Sequence, residues 1–257
     1  MSFATPEKAS KIYRKYISSP STDPLIGKIY YKYLKTIVKP YSYFKYDRKN
    51  LAPQKPLQIQ YIPTDKIKKT KKNPDFHSFL PTVKGGEWDQ DQIKIEKTKK
   101  LQSFKQHFKE GLSWEKTQFY QETKQKLNQR NSQYSRNSNR EIDEIMSDID
   151  QLYKSIKENG FKEQKNIKNP TSVNKTIDNY LNEFNEVKIM YSRNGKPLLS
   201  SGNHRTIIAK ILDIEKTPVR IKARHKKWQE KRNQAVNNPE KLTKKQKQHP
   251  DIKNLIN

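Results

Sequence analysis

The dipeptide Asn194-Gly195 constrains the fold of this chain more than any other feature of its sequence. Runs containing several apolar residues flank it, from Val187 to Arg193 on one side and from Lys196 to Ser200 on the other. Asn-Gly between two such runs is the strongest short-range indication of a β-hairpin. The sequence therefore predicts two antiparallel strands joined by a tight turn.

A helix and a third strand are predicted directly after this hairpin. Residues 200–202, Ser-Ser-Gly, form a turn into a helix, and the apolar side of that helix consists of Ile207, Ile208, Ile211 and Leu212. From Pro218 to Ala223, apolar residues alternate with Arg220 and Lys222, which indicates a strand. Lys226 onward is charged and nearly without apolar periodicity, so residues 226–257 are predicted to be a basic, partly disordered tail.

The clearest helix lies upstream of the hairpin, over 139–159. Its apolar residues recur on one face, Ser138 and Glu141 form a capping box before it, and Gly160 is a left-handed stop. A short helix is also predicted over 177–184. The apolar residues that define the face of the 139–159 helix are Ile142, Ile145, Met146, Ile149, Leu152, Tyr153 and Ile156.

The preceding part of the chain is predicted to contain one strand, a long loop and a helical pair. Leu57 to Ile62 alternates Leu57, Ile59 and Tyr61 with glutamines and predicts a half-buried strand, and residues 64–100 are predicted to form a long loop. Residues 101–129 carry two helical patterns, with Gly111 ending the first and Ser113 capping the second. The Asn-, Gln- and Ser-rich residues 129–136 are typical of a linker.

Charge dominates the composition. The chain carries 54 Lys and Arg against 27 Asp and Glu, a formal charge of +27, while Ile, Leu, Val and Phe together number 54 of 257 residues. A share of roughly 20% large apolar residues supports a core in only part of such a chain. We therefore expect one compact domain at 56–225, with looser basic segments around it and a polyanion as the default partner.

Several classes of protein are excluded. The chain has no Cys, which excludes disulfides, thiolate metal sites and a cysteine nucleophile. No apolar stretch reaches the ~18 residues of a membrane span, and residues 1–15 contain no apolar segment typical of a signal peptide. We expect a cytoplasmic protein.

Residues 1–55 form a basic arm rich in tyrosine. Within this arm Lys28, Lys32, Lys35 and Lys39 recur on one side of a predicted helix, which Pro40 should end. The other side of that helix carries Tyr30, Tyr33, Leu34, Ile37 and Val38. Two interpretations remain open. In the first, the lysines contact DNA or RNA phosphates and the tyrosines stack on bases; an anionic membrane is a less favoured partner. In the second, the tyrosines pack on the core and the lysines are only solvated.

The tetrad Gly202-Asn203-His204-Arg205 lies at the predicted start of a helix. A helix N-terminus carries a partial positive charge, so His204 and Arg205 are unfavourable there unless an anion binds. Backbone amides, an imidazole and a guanidinium would then converge on phosphate oxygens, and Gly202 would let the backbone approach them. In the alternative interpretation, Arg205 pairs with a carboxylate or solvent, His204 packs against the hairpin and Gly202 only serves the turn.

The order of these motifs resembles the ParB/sulfiredoxin-like superfamily. The resemblance is carried by "IQYIPTDKIKK", "LYKSIKENGFK", the Asn-Gly hairpin, "SGNHRTIIAKIL" and "TPVRIKARH". It covers about 57–68 and 141–224, with insertions at 69–140 and near 164–184. It implies an α+β fold, a small mixed sheet with packed helices, here carrying a helical insertion at 101–129 and basic extensions at both ends.

The resemblance also implies a nucleotide site. The phosphates of CTP, ATP or ADP, with Mg²⁺, would be bound by Gly202, Asn203, His204 and Arg205. The protein would then be a phosphoryl-transfer or NTP-hydrolysing enzyme. Its functional acid would be Asp65, in the turn after the first strand, which would act with His204 and Arg205. Asn203 departs from the pattern: sulfiredoxins have their catalytic Cys there, and partition proteins usually a Glu. Sulfiredoxin chemistry is thereby excluded and hydrolysis is put in doubt.

Other residues have competing interpretations. Asp65 fits the role of a helix cap equally well. Glu87 and Asp89 beside Trp88 are either a second acidic pair above a ligand or ordinary acidic surface, which we favour. His225 and Trp228 either contact a base or seal the edge of the core. The alternative to a nucleotide-binding protein is a non-enzymatic DNA- or RNA-binding protein. It would bind a backbone phosphate with the Gly202 turn, and its basic arms would add affinity.

Overall fold

The computed structural model describes residues 24–45, 47–71, 82–129, 142–167 and 185–256, which form seven strands and eight helices. The strands are β1 (Ile59–Pro63), β2 (Lys69–Lys71), β3 (Thr82–Lys84), β4 (Gln92–Lys94), β5 (Val187–Tyr191), β6 (Pro197–Ser201) and β7 (Lys216–His225). The helices are α1 (Pro24–Lys45), α2 (Lys99–Glu110), α3 (Gln118–Gln129), α4 (Ile142–Asn159), α5 (Asn203–Ile211), α6 (Lys226–Asn237), α7 (Lys244–Lys247) and α8 (Pro250–Lys253).

All seven strands belong to one mixed sheet. Its order is β1-β7-β5-β6-β2-β4, and β3 also pairs with β7. The long strand β7 runs antiparallel to β1, with Ile59 opposite Arg220, and parallel to β5, with Val187 opposite Val219. The predicted α+β class with a mixed sheet is confirmed.

The hairpin and the helices beside it form as predicted. Strands β5 and β6 are antiparallel, with Tyr191 opposite Pro197. Gly195 has a φ of 76°, which the tight turn requires, and Gly160 ends α4 with a φ of 73°. The apolar face of α4 buries Met146, Ile149 and Ile156, and that of α5 buries Ile207, Ile208 and Ile211. Both helices contribute to the main core.

The helical pair predicted at 101–129 is confirmed as α2 and α3. Thr98 caps α2, because its side-chain oxygen accepts a hydrogen bond from the Leu101 amide at 3.4 Å, and Gly111 ends the helix with a φ of 73°. The second helix begins at Gln118 rather than after Ser113, because Trp114–Lys116 form a 3₁₀ turn first. The pair packs against α4 and α5.

Two predictions for residues 57–100 are wrong. The predicted loop at 64–100 contains the short strands β2, β3 and β4; β2 and β3 pair with β6 and β7, which are more than 100 residues away in sequence and give no local signal. The predicted half-buried strand forms as β1, but the alternating apolar residues Leu57, Ile59 and Tyr61 are not its buried residues. Leu57 precedes the strand with a φ of 70°, Ile62 is buried, and Tyr61 is 53% exposed, with its hydroxyl bonded to Glu163.

Pro40 does not end the first helix, which continues to Lys45. A proline removes its own amide donor and crowds the preceding turn, but the following residues can still bond to the turn before them. Side-chain contacts support the continuation, since Lys45 Nζ donates to the Tyr41 hydroxyl at 3.0 Å.

The predicted disorder of the C-terminal tail is wrong for residues 226–256. His225 caps α6 by accepting from the Lys227 amide at 3.1 Å, and α7 begins with a full capping box between Thr243 and Gln246. The segment is ordered by burial of both apolar and charged residues, which are Trp228, Gln229, Arg232, Ala235, Leu242, Asp251 and Ile252.

Some predictions fall outside the described residues. These are residues 1–23 of the basic arm, the linker at 130–136, the cap formed by Ser138 and Glu141, and the short helix at 177–184. Within the described ranges, no helix has the length and apolar character that crossing a membrane requires.

Candidate functional site

Gly202 forms the turn between β6 and α5, as the sequence predicts. Its φ is 84°, and a Cβ at this position would lie 2.9 Å from Val187 Cγ2 and 3.0 Å from Val187 Cα. Both the backbone conformation and the close approach of β5 therefore require glycine. The amide and hydroxyl of Thr206 both donate to the Gly202 carbonyl at 3.0 Å and fix the first turn of α5. Asn203, the next predicted site residue, is exposed.

His204 lies against the helical insertion. Its ring centroid is 5.7 Å from that of Phe104 and 5.9 Å from that of Phe119, and its Nε2 atom is 3.2 Å from Lys100 Nζ. Burial, with a contribution from Lys100, lowers the pKa of His204 to about 4, so the imidazole is neutral at pH 7. Since an ammonium group only donates, Nε2 accepts the hydrogen bond from Lys100.

Lys100 is itself perturbed by this environment. Burial and the nearby charge of Lys126 lower the pKa of Lys100 to about 8. The amine lies 4.8 Å from the centroid of the Phe119 ring, a cation–π contact. The first turn of α5 thus has a lysine beside it that sequence reasoning did not identify, because Lys100 and His204 are 104 residues apart.

Arg205 is engaged in a buried ion pair. Its guanidinium donates to Glu186 Oε2 at 3.2 Å and to the Lys162 carbonyl at 2.8 Å, and it lies 4.4 Å from the centroid of the Phe161 ring. The side chains are 11% and 1% exposed for Arg205 and Glu186. Burial raises the pKa of Glu186, and the charge of Arg205 partly offsets this rise. Burial also lowers the pKa of Arg205. In this arrangement Arg205 joins the first turn of α5 to Glu186, the residue before β5, and to the segment after α4.

Asp65 lies apart from the Gly202 turn. It is exposed, its carboxylate is 3.3 Å from Lys66 Nζ, and it lines a cleft of about 470 Å³ with Lys210 and Asp213. Lys210 lies in the last turn of α5 and Asp213 follows that helix, and Lys210 lies about 10 Å along the helix axis from Asn203. The structure therefore does not bring Asp65 together with His204 and Arg205, the other two predicted catalytic residues.

The acidic pair beside Trp88 has a structural partner. Asp89 is buried and accepts from the Arg193 amide at 2.8 Å and from its guanidinium at 2.7 Å, while Glu87 accepts from the same guanidinium at 2.8 Å. Together these contacts attach the loop at 85–91 to the Asn-Gly hairpin. Across the ranges that the structure covers, no group of three or more His, Asp or Glu side chains could hold a metal ion.

The four lysines predicted to bind nucleic acid all fall on helix α1. At 100° per residue, Lys28, Lys32, Lys35 and Lys39 lie within a narrow arc, here called the lysine face, and Tyr43 continues it within about 80° in all. Lys32 and Lys39 are exposed, and Tyr43 is 56% exposed. No Asp or Glu occurs in α1.

A polar cluster buried near the C-terminal helices was not predicted. Asp251 Oδ1 accepts from Arg224 at 2.6 Å and from Gln60 at 3.0 Å, while Oδ2 accepts from Arg224 at 2.9 Å and from the Trp228 indole at 3.0 Å. Arg232 Nε lies 3.2 Å from Oδ2. Burial alone would raise the pKa of Asp251, but Arg224 and Arg232 outweigh it and hold that pKa below its usual range. Trp228 is therefore part of the buried edge of the core, which is the second of the two roles considered for it above.

Comparisons with family models, with curated proteins and with solved structures found no match for this chain. The likeness to the ParB/sulfiredoxin-like superfamily stays a prediction. Any proposal about function has to rest on the chain's own geometry and charge.

Proposed function

We propose that this protein binds single-stranded DNA or RNA without catalysing a reaction on it, through the lysine face of α1. The observation that carries the proposal is the exposed ring of Tyr43, which lies one helical turn beyond the exposed Lys39 in line with the lysines. Proteins that bind single strands without sequence preference combine cations that follow the backbone with aromatic rings on which bases stack. A helix with five lysines and no acidic residue supplies both.

The charge of the whole chain favours the same partner. A formal charge of +27 attracts polyanions over long distances and raises their rate of association. Lysine contacts to phosphates release condensed counterions, so the affinity falls as salt rises, with a slope of about −0.7 per contacted phosphate for a single strand. Lys32 and Lys39 together should therefore account for about 1.4 of the slope.

The test measures binding of a fluorescent oligothymidylate by anisotropy at several salt concentrations. Replacing Lys32 and Lys39 by Gln should reduce the salt slope by about 1.4, whereas Tyr43→Ala should weaken binding by about 1–3 kcal/mol with little change in slope. Tyr43→Phe should retain most of the affinity, because its ring still stacks. The matched control replaces Lys241 and Lys253, two exposed lysines outside α1, by Gln.

Three outcomes would contradict the proposal. Equal loss of slope in the α1 variant and in the control would mean that cations all over the surface bind the strand. No effect of Tyr43→Ala would remove the stacking contact. Flotation with anionic vesicles that depends on Tyr43, in a protein that binds no oligonucleotide, would instead indicate a membrane surface, which also attracts basic helices with aromatic residues.

A nucleotide-binding protein, the function that the resemblance implies, is the second candidate. It is supported by Gly202, whose left-handed φ at the start of α5 leaves the first amides of that helix to bind an anion. The ion pair between Arg205 and Glu186 weighs against it, because a phosphate would have to compete with the buried carboxylate. Calorimetric titration of CTP, ATP and ADP with Mg²⁺ tests it: saturable binding of one nucleotide supports the site, and equal, weak, salt-sensitive heats reject it.

A further inference from the structure

A second cavity, of about 250 Å³, lies where α1, β1, β7 and the segment after α4 meet. Three cations from three separate segments line it: Lys39 from α1, Lys165 from a 3₁₀ turn, and Arg220 from β7. Arg220 is only 6% exposed and belongs to β7, which pairs with β1, β3 and β5, so its backbone is firmly held. The apolar side chains Leu57 and Ile59 complete the wall.

The charge of this cavity is positive. Two carboxylates also line it, but each has cationic and hydrogen-bonding partners: Glu163 accepts from the Tyr61 hydroxyl and lies 2.8 Å from Lys165 Nζ, while Glu186 pairs with Arg205. Among the residues that the structure describes, counting Arg205 with the lining side chains gives four cations and two carboxylates. The excess of two positive charges around a partly enclosed space favours an anion.

The size and charge of the cavity restrict the anion further. At about 30 Å³ per water, its volume corresponds to roughly eight water molecules, below the range of ~300–1,000 Å³ that drug-sized ligands occupy. A duplex or an internal stretch of strand does not fit such a space, but a chain end does. A phosphate monoester also carries nearly two negative charges near neutral pH, with a second pKa of about 6, whereas a phosphodiester carries one.

We propose that this cavity binds a phosphomonoester: the terminal phosphate of a strand lying on the lysine face, or that of a free mononucleotide. Arg220 and Lys165 donate to the phosphate oxygens, and Leu57 and Ile59 contact the attached sugar. The proposal rests on the nucleic-acid binding proposed above, because Lys39 belongs both to the lysine face and to the cavity wall.

The test compares oligothymidylates of about 12 nucleotides that carry a 5′-phosphate, a 3′-phosphate or neither, all bound to the full chain. A terminal phosphate at one end should tighten binding about tenfold, as charge-assisted hydrogen bonds of this kind do. The Kd ratio between the unphosphorylated and phosphorylated strands should fall to about one in Lys165→Gln and should stay near ten in the control Lys241→Gln. Because the ratio is taken within each variant, a general loss of affinity cancels.

Arg220→Gln provides the second variant and should also bring the ratio to about one. Since Arg220 is buried, its circular dichroism spectrum and melting curve are checked first, and Lys165→Gln alone decides the matter if Arg220→Gln does not fold. A titration with thymidine monophosphate separates the two sources: affinity equal to that of the phosphorylated strand identifies the free mononucleotide, and much weaker binding identifies the strand end.

Two results would overturn the proposal while nucleic-acid binding stands. One is a ratio of about one in the unmodified protein, and the other is a ratio near ten that survives in Lys165→Gln. Failure of the proposed function looks different, because then either none of the three oligonucleotides binds or the α1 variants affect binding no more than the Lys241 and Lys253 control.

Discussion

Replacement of Asp251 by Asn should destabilise the protein far more than the same replacement of an exposed aspartate. Asp251 is fully buried and is the carboxylate that faces both Arg224 and Arg232. Asn keeps the shape of the side chain but removes its charge. It also places an amide donor where Arg224, Trp228 and Gln60 all donate.

The expected cost follows from the loss of a buried ion pair. Removing one partner of such a pair leaves an uncompensated charge in the interior and costs about 3–5 kcal/mol. That is a fifth or more of the total stability of an ordinary domain, roughly 5–15 kcal/mol. With a urea dependence of about 2–3 kcal/mol per molar, the unfolding midpoint should fall by about 1–2.5 M.

Urea unfolding followed by circular dichroism measures the effect, and Asp65→Asn serves as the matched control. Asp65 is exposed and pairs with its neighbour Lys66, so its replacement should change the free energy of unfolding by less than about 0.5 kcal/mol. A loss of under about 1 kcal/mol for Asp251→Asn would refute the argument, since breaking a buried pair should cost several times that. It would mean that the C-terminal segment detaches at little cost.

The pH dependence of this difference has a definite sign. The pKa of Asp251 is depressed in the folded protein, so its contribution is fully present above the pKa of the unfolded carboxyl, near 4. It is lost as the pH falls through the folded value. The stability difference between the unmodified protein and Asp251→Asn should therefore be constant from about pH 5 to 8 and shrink below about pH 4.

Two further predictions concern the first turn of α5. Gly202→Ala should destabilise the protein by about 1–3 kcal/mol more than Gly86→Ala, as measured by thermal unfolding. Both glycines have a positive φ, but only at Gly202 would an added Cβ contact Val187. Equal losses of stability would show that this contact relaxes. The pKa of His204 is about 4 in the folded protein and 6.5 for an ordinary histidine. Between these two pH values His204 is protonated in the unfolded chain but not in the folded one, so stability falls as the pH drops through that window. His204→Gln should flatten this part of the profile of urea midpoints, whereas an unchanged slope would assign it to other groups.

The elements that could be predicted are those that carry a turn signal or an apolar pattern in the local sequence. The hairpin around Asn194-Gly195 and helix α4 have local turn signals and a regular apolar period, and both formed as expected. The segment after His225 gave the opposite signal, because what orders it is the burial of Arg232 and Asp251 against β7. A buried charge looks the same in a sequence as an exposed one until its partner is known.

The site shows the same limit. The glycine turn was visible because a glycine between a predicted strand and a predicted helix usually marks a left-handed turn. The partners of its neighbours were not visible: Glu186 is 19 residues from Arg205, and Lys100 lies 104 residues from His204, at the start of α2. Which atoms a side chain contacts depends on how the helical insertion packs against α5, and no local pattern encodes that packing.

The pairing of β7 with a strand from the other end of the chain has a consequence for how the protein is made. In the sheet, β1 pairs with β7, although more than 150 residues separate the two strands along the chain. A ribosome that adds about 5–20 residues per second exposes β1 well before its partner exists. Such long-range pairing is slow, and an unpaired strand is prone to aggregate. The β1–β7 pairing therefore cannot form until β7 has been synthesised, and until then the backbone groups of β1 lack this partner strand.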